Sequence, residues 1–288
     1  MPHAPARNVV VGLIGAGIQG SLSPALHEAE AAAQGLKLIY QLIDLTALGL
    51  GPDALPDLLR AAERMGFAGV NITFPCKQIV LSLLDDLSPE ARALGAVNTV
   101  VFRAGKRIGY NTDAPGFAAN FRLGLPGAAR DHVVQLGAGG AGSAVAHALL
   151  AEGVRHLAVT DTDAAKAADL AAALCGHFGA DRASAVTDLA AAMAITDGVV
   201  NCTPVGMAKF PGSPLPLGLL RPSLWVADVI YFPLETALLA VARAAGCRLL
   251  TGTGMTVHQA AHAFTHFTGL QADAERMTAH MAQLIQPA

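Results

Sequence analysis

The sequence predicts an α/β chain in two parts: a mainly parallel α/β domain, then a doubly wound parallel sheet with helices on both faces. Three observations predict it. Apolar runs of strand length alternate with helix-length patterns almost throughout, the sequence form of parallel strands joined by crossover helices. The 288 residues exceed what one small core needs and suit two. After position 132, six strand signals recur with helical stretches between them, as in a doubly wound sheet.

In order, the first part reads as a strand at 9–14, a helix at 24–34, a strand at 38–43, a helix at 56–65 and a strand at 69–72. Helices are expected at 77–84 and 89–94, then a hairpin of 97–102 and 107–110 around Ala104-Gly105, residues that suit a tight turn. A helix at 115–123 crosses to the second part, whose strands are expected at 133–136, 157–160, 183–186, 198–201, 224–229 and 248–250. Helical stretches at 255–267 and 272–284 lie beyond the sixth strand and are expected to pack back on the first domain, since chain ends often sit together. The expected domains are 1–114 with 252–288, and 115–251.

Val133-Val134-Gln135-Leu136 runs into Gly137-Ala138-Gly139-Gly140-Ala141-Gly142 and at once into an Ala-rich helix pattern through Leu150. G-x-G-x-x-G between strand and helix suits a dinucleotide pyrophosphate. Gly137 permits the tight turn, Gly139 lets backbone approach the phosphates, Gly142 lets helix and strand pack closely, and the anion sits on the helix N-terminal N–H groups. The next strand ends in Asp161, 24 residues after Gly137, about where an acidic side chain meets the ribose hydroxyls. The second domain therefore reads as a Rossmann domain. Gly15-Ala16-Gly17-Ile18-Gln19-Gly20 also follows a strand, and Asp44 closes a later apolar run. There Ser21-Leu22-Ser23-Pro24 intervenes, and a Pro in the first helical turn sets the helix start near Ser23. A phosphate at Gly17 would lack the helix end that should hold it, so the cofactor is assigned to the second turn.

Only 14% of residues are charged and the net charge is −3, which argues against nucleic acid or an anionic membrane as partner. No apolar run reaches the roughly 18 residues of a spanning helix. Residues 1–7 hold one Arg and no apolar core, so no signal peptide is expected. Cys76, Cys175, Cys202 and Cys247 form no C-x-x-C pair and read as reduced thiols of a cytoplasmic protein. His27 and His258 have no partner at metal-ligand spacing, so no metal is expected. Assembly is left open between monomer and homodimer.

Polar clusters fall where loops should leave the C-terminal edge of the first sheet: Ser21 and Ser23, then Asn71 to Lys77, Asn98-Thr99 and Asn111-Thr112-Asp113. Ligands of open α/β sheets collect there, and so many hydroxyl and amide groups suit a small polyhydroxylated acid. Lys77 and Asp113 are the reactive candidates: oxidation of an alcohol sheds a hydroxyl proton that Lys77 could take, with Asp113 holding its ammonium. Equally, Asp113 could simply cap the crossing helix, Ser21 and Ser23 the helix at Pro24, and Lys77 its own turn, while Thr73 and Asn98 satisfy turns.

These residues resemble the shikimate dehydrogenase family, including its quinate/shikimate branch. The resemblance is carried by Ser21-Leu22-Ser23-Pro24, Gly69 through Lys77, Gly95-Ala96-Val97-Asn98-Thr99, Gly109 through Asp113, Gly137 to Gly142, Asn201-Cys202-Thr203-Pro204-Val205-Gly206-Met207, and Gly254-Met255 through Gln259-Ala260. It covers nearly the whole chain in unbroken order. It implies reversible NAD(P)-dependent oxidation of shikimate to 3-dehydroshikimate, with quinate as a second substrate, within aromatic amino acid biosynthesis. It also implies an N-terminal substrate domain and a C-terminal nicotinamide domain. By position, Lys77 and Asp113 match the catalytic pair, Ser21 and Ser23 the holders of the substrate carboxylate, and Thr73, Asn98 and Gln259 the holders of its hydroxyls. Gly137, Ala138, Gly139, Gly140, Ala141, Gly142, Asp161, Thr203, Val205, Gly254 and Met255 match the cofactor side, with Met255 beside the nicotinamide.

One departure matters. NADP-using members carry an Asn-Arg-Thr-like basic cluster after the second strand of the cofactor domain, where this chain has Thr160-Asp161-Thr162-Asp163. Two carboxylates and no Arg disfavour a 2′-phosphate, so NAD is expected over NADP. Two other readings stand beside this one: a paralogue acting on a related cyclic hydroxy or amino acid, and a metabolite-sensing regulator without catalysis.

Overall fold

The computed structural model describes residues 8–286; the expectation about residues 1–7 falls outside them. The elements run β1 (Asn8–Gly15), α1 (Ser23–Ala33), β2 (Lys37–Asp44), α2 (Leu55–Arg64), β3 (Gly69–Ile72), β4 (Asp86–Leu87), α3 (Pro89–Leu94), β5 (Thr99–Arg103), β6 (Lys106–Tyr110) and α4 (Asp113–Gly124). They continue as β7 (His132–Leu136), α5 (Gly140–Ala151), β8 (His156–Thr160), α6 (Ala164–Phe178), β9 (Ala183–Ala185), α7 (Leu189–Ile195), β10 (Gly198–Asn201), β11 (Trp225–Asp228), α8 (Ala237–Ala244), β12 (Arg248–Leu250), α9 (Gly252–Thr268) and α10 (Ala274–Leu284). The chain forms two compact units, one running to Thr112 and resuming at Val257, the other spanning Asp113–Thr256.

The first unit holds a six-stranded sheet in the order β2-β1-β3-β5-β6-β4. β1 pairs in parallel with both β2 and β3, and β5 and β6 add the antiparallel hairpin. Strand β1 is buried along most of its length, as a strand covered on both faces must be. Leu55 and Leu59 of α2 pack with Ile14, Val70, Ile72, Val97 and Val100 into the core. Helix α10 lies on α1, where the buried Glu30 receives two 2.8 Å hydrogen bonds from the Arg276 guanidinium and one of 2.9 Å from the Asp273 N–H. Burial alone would raise the pKa of Glu30; Arg276, the Asp273 N–H and Gln34 outweigh it and hold the group ionised.

Two local expectations are corrected. The helix expected at 77–84 is a turn followed by a 3-10 stretch, Ile79–Leu83. The Lys77 carbonyl accepts the Val97 N–H at 2.9 Å, so it is diverted from a helical ladder, and Ile79 and Val80 are poor helix formers. Helix α9 begins at Gly252 rather than 255, its start masked by the low helix propensity of Gly252 and Gly254. The strand β4, two residues paired in parallel with β6, is too short to show a period.

In the second unit all neighbouring strands are parallel, in the order β12-β11-β10-β7-β8-β9. Counted within the unit this is 3-2-1-4-5-6 read from its other edge, the dinucleotide-binding order, with the switch point between β7 and β10. Strands β10 and β11 are buried throughout, and Leu238, Leu239 and Ala242 of α8 cover one face.

His27, fully buried on α1, lies 4.8 Å from the Tyr40 ring and about 6 Å from those of Phe264 and Phe267. Neither ring nitrogen has a hydrogen-bond partner among the described residues, and burial holds its pKa at about 3, against 6.5 in the open chain. The folded state keeps this ring neutral while the unfolded chain protonates it, so stability is complete above pH 6.5 and falls as pH drops from 6.5 toward 3. At about 1.4 kcal/mol per unit, the loss is on the order of several kcal/mol. His27→Leu should therefore flatten the Tm-versus-pH curve between pH 6.5 and 4. Thermal denaturation of both proteins across that range checks it, and parallel curves would contradict the assignment.

Candidate functional site

In the first unit, the expected ligand-holding groups gather at the C-terminal ends of β1 and β3. These strands are neighbours, with Ile14 opposite Ile72, and their outgoing loops are tied by Thr73 N–H to Ile14 carbonyl and Ala16 N–H to Phe74 carbonyl, both 2.9 Å. The β1 loop carries Ser21 and Ser23, half-buried hydroxyls. The N-cap of α1 is Leu22, with no side-chain cap bond; the Ser21 hydroxyl instead receives the Ser23 N–H at 3.3 Å. The β3 loop carries Thr73 and Lys77, both half-buried.

Asn98 belongs to a buried polar network. Tyr40 donates to Asn71 Oδ1 at 2.8 Å, and Asn71 Nδ2 donates to Thr99 Oγ1 at 2.9 Å and to the Asn98 carbonyl at 3.2 Å. Asn98 Oδ1 receives the Thr99 hydroxyl at 3.1 Å and the Thr112 N–H at 2.8 Å, while Asn98 Nδ2 donates to Thr112 Oγ1 at 2.9 Å. The Thr112 hydroxyl also lies 3.4 Å from Gln259 Oε1 on α9. Asn98 and Gln259 are thus brought together through Thr112. Asp113, 6% exposed, follows by one peptide bond and opens α4. Sequence reasoning missed Tyr40; its alternation in β2 gives it a buried position but no chemical signature.

In the second unit the glycine turn has the geometry that a pyrophosphate cradle requires. Gly137 has φ +99°, a conformation that favours glycine. A Cβ on Gly142 would lie 2.3 Å from the Gly137 carbonyl oxygen, whereas one on Gly139 would meet nothing within 4 Å. The first turn of α5 follows directly, presenting N–H groups that no helical carbonyl can reach. Gln135, fully buried, supports the turn from beneath through 2.9 Å bonds from Nε2 to the Gly137 and Gly142 carbonyls. That buttress was not foreseen.

Asp161 lies beside this turn, accepting the Ala138 N–H at 2.7 Å, the Asp163 N–H at 2.9 Å and the Thr162 hydroxyl at 3.3 Å. Burial would raise its pKa, but those donors and Lys166 lower it below the usual carboxylate value, so it is an anion at neutral pH. Across the switch point, Asn201 Oδ1 receives the Thr203 N–H and hydroxyl at 2.9 and 2.7 Å, and Thr203 Oγ1 receives the Val205 N–H at 3.1 Å. Asn201 is anchored on Asp228, which sequence reasoning also missed; its carboxylate accepts from Asn201, Ile230 N–H and Thr236. Burial pushes Asp228 up to about 6 against those three bonds. A carboxylate inside the apolar run 224–229 was the available signal. Met255 is buried, and Gly254 faces Asn120, whose Oδ1 would lie 2.0 Å from a Cβ there. Among the described residues no three His, Cys, Asp or Glu side chains group as metal ligands do.

The unequal crowding of the glycines sets a direct comparison. Gly142→Ala must displace backbone, a cost on the order of 1–3 kcal/mol, and should lower Tm by several degrees. Gly139→Ala should leave Tm unchanged to within about a degree or two. Calorimetry on the two variants tests this, and equal Tm losses would contradict it.

Comparison with known proteins accords with this geometry. A family model described as the shikimate dehydrogenase substrate binding domain matches residues 13–100, and one described as the shikimate 5′-dehydrogenase C-terminal domain matches 252–281. The chain is 57% identical to a shikimate dehydrogenase (NADP(+)) of Streptomyces avermitilis, over 96% of this chain and 95% of that one. It is 48% identical to a quinate/shikimate dehydrogenase (NAD(+)) of Corynebacterium efficiens, over 96% and 99%. Among solved structures, the quinate dehydrogenase of Corynebacterium glutamicum in complex with NAD matches with TM-score 0.89 at 46% identity, over 96% of this chain and 100% of that one. With a two-unit α/β fold, a nucleotide-type glycine turn and relatives of this similarity along almost its whole length, the chain belongs to the shikimate dehydrogenase family.

Proposed function

We propose that this protein catalyses the reversible oxidation of the ring hydroxyl of shikimate to the ketone 3-dehydroshikimate with a nicotinamide cofactor, and that it also accepts quinate. The observation that carries the reading is the gathering of Ser21, Ser23, Thr73, Lys77, Asn98 and Gln259 in one unit, while the other carries a glycine turn shaped for a pyrophosphate. The first unit holds the acid and the second the nucleotide. Ser21 and Ser23 hold the carboxylate, and Thr73, Asn98 and Gln259 hold ring hydroxyls. The buried amide network keeps Asn98 from turning away, so its orientation is set before substrate arrives.

When bound, the nicotinamide supplies the hydride acceptor for oxidation and the donor for reduction. The hydroxyl proton leaves the same carbon's oxygen in oxidation, and Lys77 takes it; in reduction Lys77 returns it. Asp113 is the carboxylate member of the matched pair, a charge of the sign that favours the protonated form of Lys77.

We infer a preference for NAD. The Asp161 carboxylate accepts three hydrogen bonds, and an ionised carboxylate offers about four acceptor positions, so it retains capacity for a ribose hydroxyl. Asp161 and Asp163 together disfavour a 2′-phosphate by like charge. The relatives' names carry both cofactors, NADP at 57% identity and NAD at 48%, so the preference stands on Asp161 and not on overall similarity.

Initial rates read at the reduced-nicotinamide absorbance, with shikimate or quinate and with NAD or NADP, test the function. Turnover is expected, with kcat/KM higher for NAD; no turnover with any pair overturns the reading. Lys77→Ala should lower kcat by about 10²–10⁴-fold while NAD affinity is kept, whereas near-normal kcat would make Lys77 structural. Asp161→Ala should weaken NAD more than NADP, and equal weakening of both by calorimetry would remove the ribose argument.

A further inference from the structure

The first glycine turn, Gly15-Ala16-Gly17-Ile18-Gln19-Gly20, has the spelling of a phosphate cradle, and its N–H groups point at an anion. That anion is a side chain of the same unit. Asp44, at the end of β2 and 3% exposed, accepts the Gly17 N–H at 2.8 Å and the Thr46 N–H at 3.0 Å on Oδ1, and the Ile18 N–H at 3.0 Å and Gln19 Nε2 at 3.1 Å on Oδ2. Successive backbone N–H groups of this kind form an anion-binding concavity, and four donors saturate a carboxylate. Burial would raise the Asp44 pKa, but the bonds from Gly17, Gln19 and Thr46 help hold it below its usual value. The turn therefore has no vacancy for a phosphate.

The constrained loop leads directly to the serines. The Ser21 N–H donates to the Ile18 carbonyl at 2.9 Å, so the residue whose own N–H is fixed by Asp44 also fixes Ser21, and the Ser21 hydroxyl in turn receives the Ser23 N–H. We propose that Asp44 is the positioning residue for the substrate's carboxylate: it holds the Gly17–Gln19 backbone so that Ser21 and Ser23 stand ready for that group. This rests on the reading that the two serines bind the acid.

The test is Asp44→Asn, in which the amide NH2 faces the Ile18 N–H and the Gln19 NH2, donor against donor, while the other oxygen is kept. Loss of hydrogen bonds to a charged group predicts a KM for shikimate about tenfold higher or more. It also predicts kcat within about twofold, unchanged NAD affinity, and no further rise in KM when the change is made in a Ser21→Ala background. Additive effects in the two backgrounds, an unchanged KM, or a parallel loss of NAD affinity would overturn the proposal. If Asp44→Asn does not fold, Gln19→Leu removes one donor and leaves the backbone bonds; a two- to threefold rise in KM for shikimate is then expected, and no rise overturns the proposal. Should the unsubstituted protein turn over neither acid, the serine reading itself fails, a result separate from any of these.

Discussion

A strand-end carboxylate bonded to a glycine turn is the interaction on which the rest of this structure depends, and it occurs twice with opposite consequences, buried at Asp44 and half-buried at Asp161. At Gly17–Gln19, Asp44 uses four donors and closes the turn. At Gly137–Gly142, Asp161 takes one turn N–H, that of Ala138, and two groups from its own loop. None of these three bonds comes from the first turn of α5. Both turns follow a parallel strand, and both carboxylates stand at the C-terminal end of the next strand, Asp44 as its last residue and Asp161 one residue beyond it. What separates them is the helix: immediate at Gly140, and postponed to Ser23 in the first unit. A helix N-terminus adds its dipole and free N–H groups to the turn; without one, an internal side chain is the better occupant.

Each candidate ligand-binding loop is held by a polar network rather than by apolar packing alone. Asn98 is held by Thr99 and Thr112, the Thr203–Val205 turn by Asn201 and Asp228, and the glycine turn by Gln135. Such networks are costly if half satisfied, because a buried group without a partner loses its hydration for nothing. Nearly complete, they fix one side-chain orientation, and a binding group fixed before the ligand arrives loses less freedom when it binds.

Much of the architecture is legible in the residues because burial on both sides of a parallel sheet writes continuous apolar runs, and helix-length spacing separates them. The six strands of the second unit and the order of glycines in its turn belong to that legible part. The 3-10 stretch Ile79–Leu83 does not, since its form depends on the Lys77 carbonyl bonding to Val97, twenty residues away in sequence. Tyr40, Gln135 and Asp228 escaped for a related reason: each is a buried polar side chain on a strand, and its meaning lies in partners outside that strand. Asp44 was visible as the acid closing an apolar run, but that it fills the first turn itself could be read only from the fold.

The central claim is that one glycine turn is reserved for the nucleotide because the other is filled by its own chain. A titration of the isotopically labelled protein with NAD, followed through backbone amide resonances, tests it most directly. The account predicts shifts for the amides of Gly139, Gly140, Ala141 and Gly142, with Gly17, Ile18 and Gln19 unmoved. Shifts at Gly17 and Ile18 with the Gly139–Gly142 amides unmoved would contradict it.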